Sequence, residues 1–300
     1  MKRDILSILD LSREDILKIF ELAEDLKSRR DDSLKGHTLA LIFEKPSLRT
    51  RVTFEVAMNQ LGGSVVYLSS QDIQMGKRES VKDIAKNLSK WVDLIAARVF
   101  SHRTLLELSR NAEIPVINAL SDLEHPCQVL ADYFTLREVT KPIIAWIGDG
   151  NNVCNSLILG AGLLDVNLRV ATPRGYEPER EVIKKAQDMG GDIKIFNDPI
   201  EAVKGADVIY TDVWTSMGQE EEREKRRRDF KDFQVNEELL KFAKANCLVM
   251  HCLPAHRGEE ITDEVIDGKN SIVWKQAENR LYIEKAIIKW LSIHPSTRDI

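Results

Sequence analysis

Apolar residues follow two alternating patterns along this chain, one with helical spacing and one in short continuous runs. Ser12 precedes a stripe with helical spacing and is placed to cap it, which predicts an amphipathic helix. The stripe comprises Ile16, Ile19, Phe20, Ala23 and Leu26. An apolar run at 38–43, bounded by Gly36 and Pro46, then predicts a buried strand.

The same alternation continues to about residue 118. After 38–43 we expect a helix at 50–61, a strand at 64–68, a helix at 80–91, a strand at 93–97, a helix at 104–110 and a strand at 116–118. Hairpin signals such as Asn-Gly do not occur between these runs. The alternation therefore predicts parallel strands that are joined by crossover helices.

A second series of elements begins after Lys141-Pro142. Its predicted strands are 143–147, 168–171, 193–196, 208–210 and 248–250, and its predicted helices are one that ends near 164, one at 178–189 and one at about 276–292. We therefore predict an α/β protein of two doubly wound domains with parallel sheets, linked by helices. The expected domains are 1–135, with 276–300 packing back on it, and 136–275.

Composition narrows the functional classes. The 300 residues carry 43 Lys and Arg against 48 Asp and Glu, a formal charge of −5, which argues against a nucleic-acid partner because such partners need a basic face. No apolar run reaches the ~18 residues of a membrane helix, and the first residues lack the apolar region of a signal peptide. The four cysteines form no C-x-x-C pair, so we expect reduced thiols, no metal centre and a cytoplasmic location.

The segment Ser47-Leu48-Arg49-Thr50-Arg51 lies between a predicted strand and a predicted helix. Ligands of parallel sheets bind beyond the carboxyl ends of the strands, and a helix start offers free N–H groups to an anion. Hydroxyls and a planar guanidinium in one such segment are typical of a phosphate pocket. The structural alternative is a capped helix with two surface arginines, and spacing alone leaves both open.

Two further strand ends carry polar groups. His125 precedes a proline-started helix with Gln128 in its first turn, where a histidine can donate a hydrogen bond to a developing oxyanion. The alternative for His125 is a cap at the domain junction. Asp212 follows the predicted strand 208–210 and is either a partner for a ligand amine or a buried carboxylate with a structural role in its loop.

Gly148-Asp149-Gly150-Asn151-Asn152 follows the predicted strand 143–147 and begins like a dinucleotide-binding loop. The third glycine position holds Val153, and 168–172 contains no acidic residue for the ribose of a dinucleotide. A nicotinamide dehydrogenase of the Rossmann type is therefore the rival hypothesis from another functional class.

Two other segments have open interpretations. The charged run within 218–233 is either a solvated helix face or a mobile lid beside a site. The pair His251-Cys252 indicates a catalytic nucleophile only weakly, because adjacent residues of a strand point to opposite faces.

Together, these segments resemble the aspartate/ornithine carbamoyltransferase family along nearly the whole chain. Ser47-Leu48-Arg49-Thr50-Arg51 with Phe54-Glu55 is similar to the family's carbamoyl-phosphate signature, and His125-Pro126-Cys127-Gln128 is similar to its H-P-x-Q motif. The segments 212–218 (DVWTSMG) and 251–254 (HCLP) resemble the ornithine branch. The joint occurrence of these motifs in order is what makes the resemblance specific.

The resemblance implies transfer of the carbamoyl group from carbamoyl phosphate to the side-chain amine of L-ornithine, which gives L-citrulline and phosphate. It implies a carbamoyl-phosphate pocket formed by Ser47, Leu48, Arg49, Thr50, Gln74, Arg98, His125, Pro126, Cys127, Gln128, Cys252, Leu253 and Arg280. It implies ornithine contacts from Asn152, Asp212, Ser216 and Met217, and catalytic roles for Arg49, Arg98, His125 and Cys252. No metal or organic cofactor is implied, because carbamoyl phosphate is already activated.

The resemblance further implies a homo-oligomer built from trimers, in which Gln74 reaches a neighbouring subunit's site. Leu48 stands where the family usually has Thr, so phosphate affinity depends on whether this position contributes its N–H or a hydroxyl; Thr53 replaces the usual Ser, a mild change. A carbamoyltransferase for another amine, such as putrescine, is the alternative within the family. The same site serves arginine synthesis or breakdown, and we take arginine biosynthesis as the expected role.

Overall fold

The computed structural model describes residues 2–27, 29, 31–216 and 219–293. The chain forms two compact units, which we call unit 1 (Met1–Phe134 and Asn279–Ile300) and unit 2 (Thr135–Glu278). Each unit contains a parallel sheet with helices between its strands. The predicted α/β class with two parallel sheets is therefore confirmed.

Unit 1 is built on a four-stranded sheet. Its strands are β1 (Thr38–Phe43), β2 (Ser64–Ser69), β3 (Leu94–Arg98) and β4 (Val116–Leu120), in the spatial order β2-β1-β3-β4. The helices in this part of the chain are α1 (Arg13–Leu26), α2 (Leu48–Gln60), α3 (Ser70–Ile73), α4 (Val81–Trp91), α5 (His102–Asn111) and α6 (Pro126–Leu136). The central strands β1 and β3 are almost wholly buried, whereas the edge strand β2 is partly exposed.

Serine caps explain where several of these helices begin. The side chains of Ser12, Ser47 and Ser80 each accept a backbone N–H from the first turn of α1, α2 and α4. After α2 the chain turns at Gly62, whose φ of 83° lies in the left-handed region that favours glycine. Capping serines and a glycine in the sequence thus mark where these helices of unit 1 begin and end.

Unit 2 is built on a five-stranded parallel sheet. Its strands are β5 (Ile143–Ile147), β6 (Asn167–Ala171), β7 (Ile193–Phe196), β8 (Val208–Thr211) and β9 (Leu248–His251), in the spatial order β7-β6-β5-β8-β9. The remaining helices are α7 (Asn152–Leu164), α8 (Arg180–Asp188), α9 (Pro199–Val203), α10 (Arg223–Asp229), α11 (Glu237–Leu240), α12 (Asp263–Ile266) and α13 (Val273–Ile293). The last of these, α13, crosses from unit 2 into unit 1 along the chain.

Each unit has its own apolar core. In unit 1 the core includes Ile42, Ile95 and Leu105, between the sheet and helices α4 and α5. In unit 2 it includes Ile209 and Phe230, and Phe230 is the residue that caps the end of α10. Among the described residues, no helix has the length and apolar character needed to cross a membrane.

Candidate active site

Both sheets contain a point at which the strand order reverses. In unit 1 the chain places β2 on one side of β1 and β3 on the other, and in unit 2 it places β6 and β8 on opposite sides of β5. The carboxyl ends of the two strands at such a point diverge into a crevice where ligands of α/β proteins bind. The segment after β1, the last residue of β3 and the segments after β5 and β8 hold most of the predicted site residues.

The start of α2 forms the first wall of the unit 1 site. Ser47 caps the helix, and its Oγ accepts the Thr50 N–H at 3.3 Å. Leu48 is the first helical residue and its side chain is 74% exposed, so the position can offer an anion its backbone N–H. Thr50 is buried and half-buried Arg49 precedes it.

Three guanidinium groups, those of Arg49, Arg98 and Arg280, gather at this site. Arg98 ends β3, is 6% exposed, and has a buried Nε without a hydrogen-bond partner. Burial, together with the positive charges of Arg280 and Arg49, lowers the pKa of Arg98 to about 10. Such a concentration of buried positive charge is unfavourable unless an anion compensates it, and a phosphate matches the guanidinium geometry.

His125 lies among these charges, directly before α6. Its side chain is buried, and burial lowers its pKa well below the ordinary value, aided by Arg280, Arg98 and Arg49. The imidazole is therefore neutral at pH 7. A neutral imidazole can donate one N–H to a substrate oxygen without adding a fourth positive charge to the site.

Arg280 is held in one orientation by three neighbours. Its Nη2 donates to Thr50 Oγ1 at 2.8 Å, its Nη1 donates to Gln128 Oε1 at 2.7 Å, and its Nε donates to Glu284 Oε1 at 2.9 Å. Gln128 in turn donates through Nε2 to Asp132 Oδ1 at 2.8 Å. The structure thus connects three predicted residues, Thr50, Gln128 and Arg280, in one buried network.

Three other predicted residues of this pocket take different positions. Pro126 is the first residue of α6, where its missing N–H has no cost. The thiol of Cys127 is buried against the Asn118 carbonyl at 3.4 Å, and burial raises its pKa, so it offers no thiolate to a ligand. Gln74 is exposed in a left-handed turn after α3.

The unit 2 site lies at the carboxyl ends of β5 and β8. Asn151 caps α7 and donates through Nδ2 to Asp212 Oδ2 at 2.7 Å, which holds that carboxylate in place. Asp212 is 7% exposed and follows β8, and Asn152 is the first residue of α7. Two of the predicted ornithine residues therefore stand at the ends of the two strands that flank the switch point.

The remaining predicted residues of unit 2 follow β8 and β9. Ser216 is half-buried, and its N–H donates to Gln219 Oε1 at 3.0 Å; Met217 lies outside the described residues. Cys252 and Leu253 come directly after β9, and Leu253 has a positive φ of 58°. Cys252 is half-buried, so its thiol is more accessible than those of the buried cysteines.

Asp212, His251 and Cys252 form a cluster in which one ligand atom of each lies within 4.8 Å of the others. The imidazole is nevertheless occupied, because Nδ1 accepts the Leu253 N–H at 2.9 Å and Nε2 lies 3.0 Å from Glu260 Oε1. His251 thus has no lone pair left for a metal ion or for the thiol proton.

The loop after β5 is shaped by packing. A Cβ at Gly150 would lie 2.3 Å from the Pro178 nitrogen and 2.7 Å from the Tyr176 carbonyl oxygen. Contact with its own chain therefore explains why this position is a glycine, and no dinucleotide is needed to account for it. This contact argues against the dehydrogenase hypothesis.

The charged run is anchored on one side. Arg226 in α10 is 6% exposed and donates through Nη1 to Asp149 Oδ2 at 3.0 Å and to the Trp214 carbonyl at 2.9 Å. Burial raises the pKa of Asp149 to about 6, although Arg226 opposes the shift. The interpretation of this run as a solvated helix face is thus wrong for the side that carries Arg226.

Sequence reasoning missed six polar residues of these networks: Asp132, Asp149, Asn151, Arg226, Glu260 and Glu284. Glu284 follows Arg280 by four positions on one helix, a spacing at which side chains meet. The sequence could therefore have predicted this pair. The Arg226–Asp149 pair spans 77 positions, and no local pattern predicts it.

A parallel sheet whose switch point gathers guanidiniums around a neutral histidine is typical of an α/β enzyme that binds a small phosphorylated substrate. The chain belongs to the aspartate/ornithine carbamoyltransferase family, and is a carbamoyltransferase. The family's carbamoyl-P binding domain matches residues 3–138, and its Asp/Orn binding domain matches residues 141–291.

Individual relatives are similar over nearly their whole length. The chain is 54% identical to the ornithine carbamoyltransferase of Methanosarcina mazei over 297 residues, which cover 96% of this chain and 98% of the relative. The solved ornithine carbamoyltransferase of Pyrococcus furiosus superposes with a TM-score of 0.92 at 51% identity, covering 96% of each chain. The anabolic ornithine carbamoyltransferase of Campylobacter jejuni superposes with a TM-score of 0.93 at 40% identity, covering 98% of this chain and 99% of that one.

Proposed function

We infer that this chain transfers the carbamoyl group of carbamoyl phosphate to the side-chain amine of L-ornithine, giving L-citrulline and phosphate. The observation that carries the inference is the buried guanidinium cluster of unit 1, in which Arg98 Nε has no partner. Similarity to ornithine carbamoyltransferases over nearly the whole chain supports the choice of the second substrate.

Carbamoyl phosphate is bound by unit 1 in this proposal. The first N–H groups of α2, with Ser47 and Thr50, contact the phosphate together with Arg49 and Arg98. Arg280 completes the pocket, since three of its five N–H groups are used by protein partners and two remain for the ligand. Cys127 contributes through its backbone, because its thiol is turned to Asn118.

Charge develops on the carbamoyl oxygen when the amine attacks. Thr50 Oγ1 accepts from Arg280, which leaves the hydroxyl hydrogen available to donate to this oxygen. His125 donates from its neutral imidazole, and Arg49 supplies positive charge. One such donor is typically worth about 2.7–4 kcal/mol of the activation barrier.

The ornithine amine must be neutral to attack the carbamoyl carbon. A free amine of this type has a pKa of about 10.4, so the site has to favour proton loss. Asp212, held by Asn151, and the half-buried Cys252 orient the amine and take part in removing its proton. The new C–N bond forms, the C–O bond to phosphate breaks, and phosphate leaves with the electron pair and takes up the proton that the attacking nitrogen releases.

The remaining assignments complete the proposal. Residues 1–135 with 276–300 form the carbamoyl-phosphate domain, and 136–275 form the ornithine domain, where Asn152, Ser216 and Met217 bind ornithine and Leu253 lines the carbamoyl end. The exposed Gln74 acts in the site of a neighbouring subunit, so the active form is a trimer or a multiple of trimers. The enzyme works in the cytoplasm in arginine biosynthesis, as the word anabolic in the name of the Campylobacter jejuni relative suggests for that protein.

Citrulline formation tests the proposal directly. The purified chain is given carbamoyl phosphate with ornithine, putrescine or aspartate in turn, and we expect product with ornithine. Arg49→Ala should lose about 10³-fold or more in kcat/KM with an unchanged circular dichroism spectrum, because it removes phosphate and oxyanion contacts together. Product with putrescine alone, or near-normal turnover by Arg49→Ala, would contradict the assignment.

A further inference from the structure

The carboxylate of Glu284, on α13, contacts the guanidinium cluster of unit 1. Its side chain is completely buried, and Oε1 accepts from Arg280 Nε at 2.9 Å. The two residues are four apart on one helix, so the pair is formed by the helix geometry itself. Glu284 is therefore placed to act directly on Arg280.

The contacts of Arg280 explain what Glu284 can do. Thr50 holds Nη2 from α2 and Gln128 holds Nη1 from α6, while Glu284 holds Nε from the same helix. A planar guanidinium gripped at three of its nitrogens cannot rotate about its side-chain axis. Glu284 thus decides which edge of Arg280 faces the carbamoyl-phosphate pocket.

Glu284 is an unfavourable choice for stability alone. Burial raises the pKa of Glu284 to about 7, opposed by Arg280 and by the Thr53 hydroxyl. Its second oxygen, Oε2, is buried without a hydrogen-bond partner. Because apolar residues often stabilise such positions better than a buried ion pair, a role in the site is the physical reason to keep a carboxylate there.

We propose that Glu284 is a positioning residue of the transfer reaction, which fixes the orientation of Arg280 toward carbamoyl phosphate without itself touching the substrate. The proposal rests on the proposed function, because it needs carbamoyl phosphate as the ligand of Arg280. It concerns substrate binding more than the chemical step.

The test compares three substitutions in the full-length chain. Glu284→Met keeps the volume and removes the acceptor, Glu284→Gln keeps an acceptor oxygen at the same reach, and Glu284→Asp keeps the charge but retracts it. We expect Glu284→Met to raise KM for carbamoyl phosphate and the inhibition constant of inorganic phosphate by about tenfold, with kcat changed less than about threefold. Glu284→Gln should remain within about threefold of the parent in both constants, and Glu284→Asp should rise by about fivefold.

Lys289→Met serves as the matched control. Lys289 lies on the same helix and forms a 2.6 Å ion pair with Asp31, also in unit 1. Its loss should lower the thermal midpoint while KM for carbamoyl phosphate stays within about twofold of the parent. A general loosening of α13 would instead raise KM in the control as well, which would contradict a specific role of Glu284.

The other outcomes are equally decisive. Unchanged constants in Glu284→Met, with a lower thermal midpoint, would show a structural role and overturn the proposal, as would a Glu284→Gln variant as impaired as Glu284→Met. If Glu284→Met does not fold, Glu284→Asp decides, and an unchanged KM in that variant overturns the proposal. A parent chain that forms no citrulline would instead refute the proposed function. In that case there would be no activity on which inhibition by phosphate could be measured.

Discussion

Leu48 shows how one exposed side chain affects the interpretation of a motif. It stands where the family usually has Thr, and its side chain is 74% exposed at the first position of α2. A residue there contributes a free backbone N–H, whatever its side chain. We therefore expect that the substitution has little effect on phosphate affinity.

A proline substitution at position 48 distinguishes the contribution of the backbone N–H from that of the side chain. Leu48→Pro removes the N–H at a helix position that tolerates proline, after Ser47 in an extended conformation that suits it. We expect KM for carbamoyl phosphate to rise about tenfold with an unchanged thermal midpoint, while Leu48→Thr stays within about twofold of the parent. Steady-state kinetics with varied carbamoyl phosphate checks this, and a larger effect of Leu48→Thr than of Leu48→Pro would show that a hydroxyl is what the site lacks.

Arg49 was a candidate from its own segment, and Arg98 and Arg280 were named only through the resemblance to the family; the hydrogen bonds of these residues were beyond the sequence. Arg280 is 152 positions from Gln128 and 230 positions from Thr50, and no spacing rule connects residues so far apart. The turned-away thiol of Cys127 was equally hidden, because a motif gives the position of a residue and not its direction.

At the scale of elements, periodicity and capping gave reliable predictions. The helix predicted at 80–91 is observed at Val81–Trp91 with Ser80 as its cap, and the strand predicted at 143–147 has those bounds. The short helices α3, α9, α11 and α12 have four or five residues, too few for a helical period to be visible. These short helices depend on contacts with distant parts of the chain, which the sequence pattern does not reveal.

The element α10 is held by a buried ion pair, and this suggests a double-mutant cycle. Arg226→Met leaves the Asp149 carboxylate buried without its cation, which should cost about 3–5 kcal/mol of unfolding free energy. Asp149→Asn in the same chain removes the stranded charge, so the double variant should recover most of that loss. Urea unfolding of the four proteins gives the coupling energy, and additive losses would mean that the pair is not the anchor of α10.

At the scale of the whole molecule, the alternation of strands and helices predicted two parallel sheets, and the order of motifs predicted the family; both are confirmed. The strand orders were not predictable, because the side of β1 on which β3 is placed depends on packing across the sheet. The two switch points, and with them the positions of the sites, follow from those orders.

The neutral state of His125 gives a pH dependence of stability. Its pKa in the folded protein is well below the unfolded value, so its contribution is fully present above about pH 6.5 and is lost as pH falls, since the unfolded chain then binds a proton that the folded chain does not. Below about pH 6.5 the parent should lose about 1.4 kcal/mol per pH unit more than His125→Asn. Urea unfolding from about pH 7.5 to 5.5 measures this difference, and parallel curves for the two proteins would show that His125 binds its proton as readily in the folded chain as in the unfolded one.

The central claim is that the buried guanidinium cluster of unit 1 exists to bind the phosphate of carbamoyl phosphate. Arg98→Met tests it most directly, because Arg98 is buried and its Nε lacks a partner. Calorimetric titration with carbamoyl phosphate should show binding weakened about 100-fold or more, while the thermal midpoint without ligand stays the same or rises because a buried charge has been removed. An Arg98→Met protein that binds carbamoyl phosphate as tightly as the parent would contradict the claim.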